Sequence, residues 1–129
     1  MNKAAPLFLL TLALATAAGC HTTEVNGPGG ESVAATTPRS LTLHRGSSIA
    51  LEVDIDREQF TGPVTVSVSQ LPKGVSADRA SAKVESTMAT FVLEASKTAD
   101  LVSNQKIAVT VEGMGGRKAM QYISLDVTD

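Results

Sequence analysis

From Leu41 onward, apolar and polar residues alternate with a period of two, the pattern of strands buried on one face only. Leu41 and Leu43 alternate with Thr42 and His44. After Arg45-Gly46-Ser47, Ile49, Leu51, Val53 and Ile55 alternate with Ala50, Glu52, Asp54 and Asp56, the cleanest such run in the chain. Val64, Val66 and Val68 follow a turn at Phe60-Thr61-Gly62-Pro63, and Leu71 to Val75 reads as a second turn with apolar ends. Ala80 to Val84 suits a short edge strand. Ala89, Phe91, Leu93 and Ala95 repeat the alternation, as do Ile107, Val109 and Val111. Ile123, Leu125 and Val127 repeat it again after the hairpin-like Gly113-Met114-Gly115-Gly116. Lys97 to Gln105 reads as a polar loop, and Thr98 to Val102 is the only candidate for a helical turn.

About seven short strands result, spaced by about 10 to 12 residues, which is the pattern of an antiparallel β-sandwich. One residue in two along each strand then faces a single core. Phe91 is its expected large plug. Residues 21–38 read HTTEVNGPGGESVAATTP and show no apolar period, so they are expected to form a flexible linker. As a coil, such a segment would span on the order of 25 Å. The expected organisation is a leader over 1–19, Cys20 and a linker over 20–38, and the sandwich over 39–129.

The first 19 residues follow a different pattern. Lys3 precedes an apolar run (Leu7, Phe8, Leu9, Leu10, Leu12, Leu14), which ends in the small residues Ala17, Ala18 and Gly19. Those are the three parts of a secretory signal. The run is about 15 residues long, short for a bilayer core of about 30 Å, and Pro6 interrupts it. The next residue, Cys20, is the only cysteine in the sequence.

Ala17-Ala18-Gly19-Cys20 resembles the lipobox of bacterial lipoproteins, with Ala17 where that pattern most often has Leu. The resemblance implies that the Cys20 thiol receives a diacylglycerol, and that the new amino group is then acylated, for example with palmitate. Two or more acyl chains hold a protein stably at a membrane, where one holds it only marginally. Acylation would also consume a thiol that is otherwise prone to intermolecular disulfides. His21, in place of an Asp after the cysteine, implies the outer membrane of a cell envelope, facing the periplasm or the surface.

A second resemblance covers residues of about 40 to 127. Phe60-Thr61-Gly62-Pro63-Val64-Thr65-Val66-Ser67-Val68, followed by Leu71-Pro72-Lys73-Gly74-Val75, is similar to bacterial immunoglobulin-like modules of envelope and surface proteins. It implies an immunoglobulin-like sandwich that binds proteins or acts as a spacer, recognising partners through a strand edge or loop tips. The cysteine pair and tryptophan of antibody domains are missing.

Composition narrows the function. The formal charge is −2, one unit more negative once Lys3 leaves with the leader. No clustered basic face invites nucleic acid. With no Trp, one Tyr and three Phe (Phe8 among them), the chain lacks the aromatic platforms that stack sugars or bases. Glu52, Asp54 and Asp56 share one strand face and are weak candidates for a cation such as Ca²⁺. Residues two apart on a strand lie nearly 7 Å apart, so oxygens from a second loop would be needed. A solvated, edge-protecting face is the simpler reading. His44 as a general base would need a nucleophile and an orienting acid; Ser47, Ser48 and Asp54 are nearby in sequence, but no nucleophile motif such as Gly-x-Ser-x-Gly occurs. Gly113-Met114-Gly115-Gly116-Arg117-Lys118 lacks the helix that a phosphate loop needs. Alternation turns Met120 and Tyr122 outward, and exposed Met and Tyr suit a protein contact.

The expectation is a lipid-anchored, non-enzymatic envelope protein without cofactor. It would bind an unknown envelope protein or act structurally. The alternative is an accessory domain that binds carbohydrate or calcium.

Overall fold

A computed structural model describes residues 19–129, so the expected leader lies, except for Gly19, outside the described residues. The described chain is all-β, without a helix. Its strands are β1 Cys20–Asn26, β2 Ser32–Pro38, β3 Ser40–His44, β4 Ser48–Glu58 and β5 Val64–Ser69. They continue as β6 Val75–Ala77, β7 Ser81–Val84, β8 Met88–Ala95, β9 Val102–Gly113 and β10 Arg117–Thr128. The first sheet has the order β1-β2-β4-β8-β6, and the second β3-β10-β9-β5-β7.

The two sheets enclose one core, as the alternation requires. Leu51, Val53, Ile55, Phe91 and Leu93 reach it from the first sheet. Val64, Val66, Ile107, Val109, Ile123 and Leu125 reach it from the second. Phe91 is fully buried and is the largest of the fully buried side chains.

Ten strands form where about seven were expected, and the arrangement is not wholly antiparallel. β3 runs parallel to β10, pairing Ser40 with Ser124 and Thr128 with His44. Only Arg39 separates β2 from β3, so one extended run leaves the first sheet and joins the second. Pro38 has no N–H to offer a ladder and sits at that switch.

The linker expectation for residues 21–38 is corrected. These residues form the β1–β2 hairpin, in register from Cys20 opposite Pro38 to Asn26 opposite Ser32. β2 also pairs with β4. Val25, Val33, Ala35 and Thr37 are buried, which supplies the packing that a linker would lack. The turn between them is closed by Gly27 N–H donating to the Glu31 carbonyl (2.8 Å) and Gly29 N–H donating to Glu31 Oε1 (2.7 Å).

The expected polar loop over 97–105 is also shorter than its composition suggests. Thr98 to Val102 forms no helical turn, and β9 starts at Val102. The register with β10 shifts between Leu125 and Val127, and Asn104 takes a positive φ of 56° there. Its N–H donates to Asp126 Oδ1 (2.7 Å), and its side-chain oxygen accepts from Ser124 Oγ (3.0 Å). This bulge lets an all-polar stretch join a ladder without sending a side chain to the core. β7 is the short edge strand expected from the sequence.

Candidate functional site

Cys20 is exposed at the first position of the first strand. Its carbonyl accepts from Arg39 Nε (3.1 Å), and the Gly19 carbonyl accepts from Arg39 N–H. Arg39 thus fixes the start of β1 against the segment that changes sheets. A shallow open cleft of about 270 Å³ surrounds the cysteine, lined by Thr36, Pro38, Ala50, Glu52 and Asp54 among others.

Beneath Cys20, the inward side of the hairpin holds a polar group. Gln121 Nε2 donates to Thr37 Oγ1 (2.8 Å) and to the His21 carbonyl (3.4 Å), joining β10 to β1 and β2. Thr37 is the one buried polar residue among the described residues. His21 Nε2 is buried beside them with no hydrogen-bond partner. An unprotonated ring nitrogen tolerates that position, whereas a protonated one would be an unpaired donor on a charged ring. Burial first, and the Arg39 charge second, hold the His21 pKa below its ordinary value of 6.5.

Because the folded value is depressed, the unfolded chain binds the proton more readily. Stability is therefore lost as pH falls through 6.5 toward the folded pKa. Thermal unfolding of His21→Gln is expected to fall less between about pH 7 and pH 5 than that of the native chain. Parallel curves for the two proteins would contradict this account of His21.

Glu52, Asp54 and Asp56 are all exposed on the outer side of β4, as the alternation predicts. No group of three or more His, Cys, Asp or Glu among the described residues could hold a metal ion. Met120 and Tyr122 project from the outer side of β10, 51% and 44% exposed, with Lys106 Nζ 5.8 Å from the centroid of the Tyr122 ring. They lie on the second sheet, whereas Cys20 and the carboxylates belong to the first. Met114, in the turn before β10, packs part-buried against the core. His44 ends β3, where Nδ1 and Thr128 Oγ1 lie 2.8 Å apart.

Sequence reasoning missed His21, Thr37, Gln121 and Arg39 because it placed the first two in a linker. The available signal was Val25 and Val33 flanking Asn26-Gly27-Pro28-Gly29-Gly30, which reads equally as strand, turn, strand. No protein-family model matches the chain, and no curated protein or solved structure matches it either.

Proposed function

We propose that this chain is a lipid-anchored protein of a bacterial cell envelope, held through Cys20 at the outer membrane. Its domain is an immunoglobulin-like module that binds another envelope protein or serves a structural role, without catalysis. The observation that carries the reading is Ala17-Ala18-Gly19-Cys20 behind an apolar leader. The exposure of Cys20 at the head of β1 supports it, because acyl chains there would leave the domain without crossing its core.

The strand order supports the immunoglobulin-like part. β2-β4-β8-β6 follows the A-B-E-D order of such sandwiches, and β10-β9-β5 follows G-F-C. A lipid at Cys20 would leave no slack between anchor and domain, since the first ladder pair is Cys20 with Pro38. The domain would then lie with its β1 edge toward the membrane.

The test compares the native chain with Cys20→Ser, expressed with the full leader in a bacterial host. Mass spectrometry of the N-terminal peptide is expected to show acylated Cys20 in the native chain and complete loss of that mass in the variant. In-cell crosslinking is expected to recover one partner in near-stoichiometric yield, lost with the anchor. An unmodified Cys20 in a cleaved native chain would end the lipoprotein reading.

A further inference from the structure

The outer faces of the two sheets carry opposite charge. On the first sheet, Glu24 of β1, Glu52, Asp54, Asp56 and Glu58 of β4 and Glu94 of β8 are all exposed. None of its five strands carries a lysine. Their one arginine, Arg57, is occupied elsewhere. Its guanidinium donates to the carbonyls of Gly62 (3.0 Å), Ser86 (2.6 Å) and Val84 (2.7 Å). On the outer face of the second sheet, the exposed charges of the strands are Lys83, Lys106 and Lys118, while Arg117 at the start of β10 has the inward parity of Ile123 and Leu125. The acids there are half-buried: Asp126 accepts the Asn104 N–H, and Glu112 lies opposite Lys118.

Each face also bears an apolar pair. Met88 and Val92 are 42% and 40% exposed on the acidic face, and Met120 and Tyr122 are 51% and 44% exposed on the basic one. Of the five exposed large apolar residues among those described, only Leu101 lies outside these pairs. An apolar centre within charged surroundings is the layout of a contact patch.

From this we infer that the acidic face of one copy docks on the basic face of another. Two acidic faces repel, so a two-fold dimer through that face is disfavoured. The complementary pairing is heterologous and continues head to tail. Cys20 lies on the edge strand β1, at the margin of the acidic face beside Glu52, so an anchor there leaves the basic face open. The inference goes beyond the envelope reading and is argued from the two sheet faces alone. Five strands about 4.8 Å apart and about six residues tall cover roughly 500 Å² per partner. That total lies in the range of weak, transient contacts, so the association is concentration-dependent. Its charged surroundings make it salt-sensitive.

The test is sedimentation of the full chain in a mild detergent with the detergent density-matched. The native chain is expected to gain mass with concentration and to lose that gain in high salt. Glu52→Lys/Asp54→Lys and Lys106→Glu/Lys118→Glu are each expected to remain monomeric. An equimolar mixture of the two is expected to associate again, which a misfolded variant could not do. A native chain that stays monomeric at every concentration would overturn the inference. So would variants that associate like the native chain, or a mixture that stays monomeric.

Discussion

Replacing Phe91 with alanine is expected to lower the unfolding free energy by about 3–5 kcal/mol, the usual cost of deleting a fully buried aromatic ring. Phe91 has no exposed surface and lies in β8 opposite Leu51, with both sheets supplying its surroundings. The core is otherwise built from Val, Ile, Leu and Ala, and β-branched side chains on paired strands rotate little to fill a void. Single domains are stable by only about 5–15 kcal/mol, so the variant stands close to unfolding. Urea denaturation is the measurement: the midpoint should drop while the slope stays constant. A loss below about 1 kcal/mol would mean that the site collapses freely, contrary to the packing described.

The second large effect is expected at Gly74. It follows Pro72 and Lys73 in the turn closed by Val75 N–H donating to the Pro72 carbonyl (3.0 Å), with φ at +87°. A Cβ there would lie 2.5 Å from Ala99 Cα and 2.7 Å from Ala99 Cβ, and Ala99 is itself buried in the core. Gly74→Ala therefore combines left-handed backbone strain of about 1 kcal/mol with a backbone clash of about 1–3 kcal/mol, for an expected loss of about 2–4 kcal/mol. Gly115 provides the control. Its φ is +75°, yet a Cβ there meets nothing within 4 Å. Gly115→Ala should carry only the conformational part, about 1 kcal/mol. Equal losses in the two variants would show that the approach to Ala99 contributes nothing.

Strands β4, β5, β8 and the second half of β10 were legible because each buries every second residue, and the buried ones are large. Ile123, Leu125 and Val127 also fix the opposite parity, which is why the exposure of Met120 and Tyr122 could be read in advance. β1 and β2 were not legible for a physical reason. Thr22, Thr23, Ala34, Ala35, Thr36 and Thr37 differ little in size and polarity across the two faces, so burial there leaves almost no contrast. The polar start of β9 was hidden by the bulge at Asn104, where the ladder continues without a core-facing residue. Cys20 stood out as a residue, but its surroundings did not. The contacts from Arg39 to Cys20 and from Gln121 to His21 and Thr37 span 19 to 100 positions of sequence.

The hairpin that begins at Cys20 also has a mechanical meaning. A load applied at Cys20, in the plane of the first sheet and away from β2, meets the antiparallel ladder in zipper geometry. Cys20 opposite Pro38 opens first, then each pair in turn toward Asn26 and Ser32. Bonds broken singly resist far less than bonds broken together. β2 is held separately by β4, so peeling would end at the turn and leave the other strands closed. The freed stretch from Cys20 to Glu31 would reach about 40 Å when extended. An edge strand that is rigid at rest would in this way act as a fuse, giving up the burial of Val25 and the Gln121–His21 bond and yielding slack before the central strands feel any strain.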